Sequence, residues 1–202
     1  MKNDLQLHGG GYESRRAHDF YPTPPDVTVA LMKYVKLPMG VNVWECAAGN
    51  GMMAKTLEAL GYTVESTDIR TEGVYGRGGV DYLKAEPFPN NQYAIITNPP
   101  FAHSGAFIRK ALNEEVSFVA MLLKSQYWHA KTRIPLFREF PPSYILPLTW
   151  RPNFDTSRGS APTMEVQWTV WLSWTKGQET KYDLLERPTK KDMEIINEAF
   201  IV

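Results

Sequence analysis

Two short segments hold residue types that could do chemistry together. The first is Glu45-Cys-Ala-Ala-Gly49-Asn-Gly51, which directly follows an apolar run, Val41–Trp44. A glycine turn between a strand and a helix lets backbone N–H groups approach a ligand closely. Three readings compete for it. One is a tight turn with no ligand. A second is a dinucleotide site of an NAD-dependent oxidoreductase: Gly49-x-Gly51-x-x-Ala54 fits G-x-G-x-x-G/A, and Asp68 stands 19 residues after Gly49, near the expected ribose-binding acid. The third uses Glu45. A carboxylate at the strand end repels a pyrophosphate but suits an ammonium group. S-adenosylmethionine offers that ammonium as its α-amino group, and a ribose for Asp68. This third reading accounts for the most residues.

The second segment is Asn98-Pro99-Pro100-Phe101, at the end of the apolar run Tyr93–Thr97. With this composition, Asn-Pro-Pro-aromatic arises by chance in roughly 0.6% of such chains, so a proline-stiffened turn of no consequence is the weaker reading. The segment sits at the carboxyl end of an expected strand, where open α/β sheets bind ligands.

The elements that must position these segments read as alternating helix and strand. Pro24 or Pro25 opens a helix to about Val35, with Val29, Leu31, Met32 and Val35 toward the core. Val41–Trp44 is a strand and Met52–Leu60 a helix capped by Gly61. Strands are expected over Tyr62–Thr67, Tyr93–Thr97 and Val116–Leu123, and a helix over about Ser104–Asn113. Such alternation with short connections predicts a parallel sheet covered on both faces. Beyond Lys124 the texture changes. Tyr127–Phe140 reads as a basic helix. Tyr144–Leu148 and Val166–Trp174 read as strands joined by a loop of roughly 17 residues, long enough to suggest function. The charged tail from Lys176 ends in a helix opened by a capping-box-like Thr189-x-x-Asp192, with Met193, Ile196 and Phe200 for packing.

Composition bounds the class. The chain has 202 residues, 43% hydrophobic and 22% charged, which fits a globular domain and excludes wholesale disorder or a collagen-like repeat. The lone Cys46 allows no intrachain disulfide, so a reducing, cytoplasmic setting is expected. Four scattered histidines and one cysteine make no zinc pattern, and no metal is expected. No apolar run approaches the roughly 18 residues of a membrane span, and no membrane partner is expected. Residues 1–18 read as a mobile N-terminal arm with Gly9–Gly11, and 19–202 as a single domain. Lys plus Arg, 22, balances Asp plus Glu, 22, so the chain as a whole is not a strong non-specific polyanion binder, though it can carry a local basic face.

With these motifs in this order, the sequence resembles the class I S-adenosylmethionine-dependent amino-methyltransferases that modify DNA bases, and the compact order of motifs resembles phage or prophage adenine-N6 enzymes. The resemblance covers about residues 19–175 and is weakest over 71–80 and 150–163. It implies a Rossmann-like fold: a mostly parallel seven-stranded sheet with one antiparallel strand near the C-terminus. It implies that Glu45, Ala47, Gly49 and Gly51 form the first cofactor motif. Asp68 would bind the ribose with Ile69 beside the adenine. Asp81-Tyr82 would form a third motif on the adenine amino group. Tyr21, Thr23 and Pro24 resemble a Thr-Pro motif that closes over the methionine end of the cofactor, with Asn98 also close to it. Taken singly, Asp68 and Asp81 also read as solvated loop acids, Thr23-Pro24 as a helix N-cap and Tyr21 as packing.

The resemblance gives the catalytic tetrapeptide Asn98, Pro99, Pro100 and Phe101 a chemistry. The exocyclic amine of adenine is a poor nucleophile because its lone pair is delocalised into the ring. The Asn98 side-chain oxygen and the Pro99 carbonyl can each accept one N6–H, favouring a tetrahedral nitrogen whose lone pair faces the methyl donor. The prolines keep those acceptors rigid. Phe101 offers a face on which a flipped-out base can stack, worth roughly 1–3 kcal/mol. Transfer is expected to be a direct displacement yielding S-adenosylhomocysteine, with Cys46 a small buried residue rather than a nucleophile.

Nucleic-acid contact is expected over 124–163. Lys124, Lys131, Arg133, Arg138, Arg151 and Arg158 face only Glu139 and Asp155 between positions 124 and 158, a local excess of four positive charges. Tyr127, Trp128, Trp150 and Phe154 are interleaved, a pattern that suits phosphate contact plus stacking, or else a solvated face over core aromatics. Lys124, Arg133, Arg151 and Arg158 are the candidate substrate contacts, and Arg15-Arg16 in the arm reads either as a further phosphate contact or as part of a disordered segment. Trp168 and Trp171, three apart in a strand, are expected to pack into opposite faces. The expected partner is DNA, with RNA possible, and no obligatory protein partner is evident. The same fold and cofactor acting on cytosine N4, RNA adenine or a protein glutamine is the alternative. A fold-only module without turnover is disfavoured by the presence of Glu45, Asp68 and Asn98 together.

Overall fold

The structure, a computed structural model, describes residues 21–38, 40–87, 93–154 and 161–200. The expected arm over 1–18, including Arg15 and Arg16, lies outside the described residues, as does Arg158. In chain order the elements are α1 (Pro25–Tyr34), β1 (Asn42–Glu45), α2 (Met52–Ala59), β2 (Val64–Ser66), β3 (Tyr93–Thr97), α3 (Ser104–Asn113), β4 (Phe118–Lys124), α4 (Ile134–Glu139), β5 (Tyr144–Pro147), β6 (Val166–Leu172), β7 (Lys181–Tyr182) and α5 (Glu194–Ala199).

The strands form one sheet in the order β2-β1-β3-β4-β6-β5-β7. β1 pairs in parallel with β2 and β3, and β3 with β4, while β6 runs antiparallel to both β4 and β5. β5 pairs in parallel with β7, which leaves β6 as the reversed strand. This is the Rossmann-like arrangement expected. The seventh strand, however, comes from the charged tail rather than from an apolar run. A two-residue edge strand needs little apolar character because it is exposed on both faces.

Period-two alternation divides the core into two layers. Phe118, Ala120 and Leu122 of β4, with Val166, Trp168 and Val170 of β6, face Val27, Leu31, Met53 and Leu57 of α1 and α2. Val119, Met121 and Leu123, with Trp171, face Phe107, Ile108 and Ala111 of α3 and Leu136 of α4. β3 and β4 are buried on both sides, which is why they read as unbroken apolar runs. Trp168 and Trp171 do enter opposite layers; their indole N–H groups donate to Val27 O at 3.0 Å and Phe140 O at 2.9 Å.

The basic helix expected over Tyr127–Phe140 is a correction. The segment breaks into two single 3₁₀ turns, Tyr127–His129 and Lys131–Arg133, before α4. Ala130 is extended between them (φ −98°, ψ 132°). Pro135, in the first turn of α4, cannot continue a helix arriving from upstream because it lacks an N–H and crowds the preceding turn. The C-terminal box forms as expected: Thr189 Oγ1 donates to Asp192 Oδ2 at 2.8 Å, and Ile196 is buried.

Candidate active site

β1 has β2 on one side and β3 on the other, so the chain reverses direction across the sheet between β1 and β3. At such a switch point the loops leaving the strands diverge and open a crevice. A cavity of about 820 Å³ lies there, lined by Glu45, Gly49, Asp68 and Asn98 among others.

The glycine turn is conformationally required. Gly51 has φ 82°, and a Cβ there would stand 2.3 Å from the Tyr75 ring. Gly49 has φ 57° and donates its N–H to Asp68 Oδ2 at 2.8 Å. Asp68 also accepts the Arg70 backbone N–H at 2.9 Å and Arg70 Nε at 3.0 Å through Oδ1. It therefore joins the glycine turn to the end of β2 while lining the cavity. Arg70, a cavity residue that belongs to no motif, holds that carboxylate in place. Ile69 lines the rim and is exposed. Asp81 makes a similar local turn, accepting the Leu83 N–H at 3.1 Å and pairing with Lys84 at 3.1 Å. Tyr82 borders the cavity, but its ring is buried against Trp44 (5.1 Å between centroids) and Phe107 (4.7 Å). Ala47 lines the cavity beside its hydrogen bond to Glu45.

Glu45 ends β1 and is 1% exposed. Its Oε1 accepts the Ala47 N–H at 3.1 Å and the Thr97 hydroxyl. Burial pushes its carboxyl up to about 8, against the downward pull of those two hydrogen bonds. Among the described residues no cation pairs with it. A buried carboxylate on a cavity wall, short of a positive partner, suits an ammonium-bearing ligand. Burial likewise pushes the Cys46 thiol up, in keeping with an inert turn residue.

Asn98 follows β3 directly. Its Nδ2 donates to Tyr21 O at 3.2 Å and Thr23 Oγ1 at 3.0 Å. With both amide hydrogens held, the acceptor oxygen is the atom the side chain offers to the cavity it lines. Thr23 does not cap α1, whose N-cap is Pro24 without a side-chain bond; its hydroxyl turns to Asn98 instead. Tyr21 and Thr23 line the cavity, whereas Pro24 does not. Pro99 is buried and off the cavity wall, while Pro100 and Phe101 line it. The Pro100 carbonyl accepts the His103 N–H at 2.8 Å, closing the turn into α3.

Phe101 is flanked by Tyr21, with centroids 5.7 Å apart, and by Lys124 Nζ, 4.7 Å from its centroid. Lys124, the last residue of β4, and Arg133, whose guanidinium lies 4.3 Å from the Tyr127 centroid, both line the cavity. Arg151 stands elsewhere, paired with Glu165 beside a second groove. The interleaved aromatics are largely in the core: Tyr127 and Phe154 are buried, Trp128 packs on Tyr127, Phe137 and Trp171, and the Trp150 N–H donates to Asp26 at 3.1 Å.

No protein-family profile and no curated protein matches the sequence. Solved structures do. The methyltransferase subunit of a type I restriction-modification system from Streptococcus thermophilus matches with a TM-score of 0.64 and 13% identity, over 90% of this chain and 53% of that one. The 23S rRNA methyltransferase ErmE matches at 0.53 and 15%, over 75% and 68%. DrdV, in a complex with DNA, matches at 0.51 and 12%, over 94% and 30%. The chain spans about half the length of the type I subunit. At these identities the likeness is one of fold, a Rossmann-like sheet of the kind found in those methyltransferases.

Proposed function

We propose that the chain transfers a methyl group from S-adenosylmethionine to the exocyclic N6 of adenine in DNA, acting on a base swung out of its stack. One observation carries the reading. The Asn98 amide is anchored through both hydrogens, so its oxygen faces a cavity that also holds the buried Glu45 carboxylate. An amine acceptor and an ammonium acceptor thus share one crevice.

Glu45 would hold the α-amino group, Gly49 and Gly51 would let the backbone approach, and Asp68 would take the ribose hydroxyls. Ile69 would pack on the adenine ring and Asp81 would accept from its amino group. When bound, the cofactor supplies a methyl made electrophilic by its sulfonium. Asn98 Oδ1 would accept one N6–H of the target base; the resemblance gives the other to the Pro99 carbonyl, although Pro99 itself is off the cavity wall. These contacts favour the pyramidal nitrogen needed for attack and fix its orientation before reaction. The nitrogen loses its proton to solvent after alkylation, so no strong base is required. Phe101, Tyr21 and Lys124 would receive the base: two π-faces and a cation over one of them. Lys124 and Arg133 would also meet phosphates.

The test is nucleoside mass spectrometry. The chain is incubated with methyl-labelled S-adenosylmethionine and, in parallel, unmethylated DNA and unmodified RNA, with Asn98→Ala as control. Label on N6-methyladenine with the native chain alone is the expected result. Label on RNA adenine or cytosine N4 would redirect the acceptor. No label on any nucleic acid, despite bound cofactor, would overturn the reading.

A further inference from the structure

A second groove of about 720 Å³ opens on the same edge of the sheet, beside the catalytic cavity. One segment walls both. Lys124, Gln126 and Tyr127 face the first, and Ser125, Trp128 and His129 face the second. A polymer with one unit in the cavity can therefore reach the groove with a neighbouring unit. Asn98 follows β3, and Gln167 lies on β6, two strands across the sheet, or about 10 Å. That gap lies within the span of two nucleotides of an extended strand.

Gln167 gives the groove a reading group. It is 3% exposed, lines the groove, and its Nε2 has no hydrogen-bond partner. A buried amide N–H without an acceptor costs free energy unless a ligand supplies one. The surrounding chemistry suits a nucleotide: half-buried indoles of Trp128 and Trp150, with His129 and Arg151 at the rim. The Arg151–Glu165 pair at the edge is solvent-exposed, so a phosphate could compete for the guanidinium at small cost.

We propose that this groove is a specificity subsite that takes an unpaired adenine flanking the methylated base, read by the Gln167 amide. The proposal rests on the nucleic-acid reading above. A glutamine meets adenine with two bonds, Nε2 donating to N7 and Oε1 accepting from N6–H. The subsite binds and positions; no bond is made or broken there.

The experiment offers the full chain a pool of single-stranded oligonucleotides with one fixed adenine in randomised flanks. Methylated strands are captured and sequenced, for the native chain, Gln167→Glu and Gln167→Leu, each first checked for S-adenosylhomocysteine binding. Adenine should be enriched roughly tenfold at one position within two nucleotides of the target. Gln167→Glu should move that preference toward cytosine, whose N4 donates to a carboxylate, and Gln167→Leu should flatten it at that position alone. A measurement on the native chain needs no variant: 7-deazaadenine at the preferred position removes the N7 acceptor and should lose the same factor. Methylation with no flanking preference, or with one unchanged by both variants and by 7-deazaadenine, overturns the subsite and leaves the catalytic reading intact. Methylation of no adenine in the single-stranded pool overturns the subsite, and methylation of no adenine in the same pool annealed to its complements as well overturns the catalytic reading.

Discussion

Two side-chain amides stand on the carboxyl edge of this sheet, and they are held in opposite ways. Asn98 has both N–H groups tied to Tyr21 and Thr23. Gln167, two strands away, has a buried Nε2 with no partner. The first arrangement suits a group that must not move during a reaction, since its orientation is set before substrate arrives. The second suits a group completed by what it binds. The two halves of the sheet differ in kind as well. The parallel half carries tight turns and local carboxylate bonds, while the antiparallel half carries a groove between aromatic side chains packed mainly for stability.

Breaking the held amide should have the largest effect. Asn98→Ala is expected to lower turnover roughly 100-fold or more while leaving S-adenosylhomocysteine affinity within a few-fold. Single-turnover methylation and calorimetric binding on the same preparation check this. Equal loss of both would remove Asn98 from the acceptor role.

The next effect is on pH. Burial raises the Glu45 carboxyl from 4.5 to about 8. Its contribution to stability is complete below the unfolded value and is lost as pH rises through the folded one. An ammonium partner needs the ionised form, so ligand binding below pH 8 must expel a proton. S-adenosylhomocysteine affinity should fall as pH drops from about 8 to about 6, by at most tenfold per unit. Glu45→Gln should abolish the slope. Titration calorimetry in buffers of different ionisation enthalpy reads the released proton; a flat native profile would place the ammonium elsewhere.

Loosening the held amide by one bond should cost less. Thr23→Val removes the hydroxyl that accepts from Asn98 and leaves the Tyr21 carbonyl bond. Turnover is expected to drop about tenfold, the equivalent of one hydrogen bond of about 1.4 kcal/mol, and Thr23→Ser should restore it. A rescue that fails would argue that the methyl group, not the hydroxyl, matters.

The smallest effect sharpens the contrast. Gln167→Leu removes an unsatisfied buried N–H and should raise stability by about 1 kcal/mol, or roughly 2–4 °C in Tm. Asn98→Ala should shift Tm the other way, because it breaks two bonds and leaves acceptors behind. Thermal unfolding of both variants checks the signs; a destabilised Gln167→Leu would mean the amide is satisfied in solution.

Much of the fold was legible because its signals are local. Apolar runs marked β3 and β4, Gly61 marked the end of α2, and the Thr189–Asp192 box marked the last helix. The basic stretch after Lys124 reads as one helix, but Ala130 is extended and Pro135 bars a helix from continuing out of the preceding turn. β7 carries no such local signal, because a two-residue exposed edge strand has no apolar period to detect. Of the candidate substrate cations, Lys124 and Arg133 reach the cavity and Arg151 does not. Nothing in a run of basic residues says which ones a loop will turn inward.

By itself the sequence determined the chemistry that could be present: Glu45 and Gly49–Gly51 at one strand end, Asn98–Phe101 at another, in a chain with alternating helix and strand. Those depend on residue type and near-neighbour spacing, which the chain carries directly. Tertiary structure alone decided that Thr23 is an anchor for Asn98 rather than a helix cap, that Arg70 steadies Asp68, and that Gln167 is left with an unmet donor beside the cavity. Each of those facts depends on which groups meet across the sheet and its loops. A hydrogen bond between residues 75 positions apart, such as that from Asn98 to Thr23, has no local pattern to announce it.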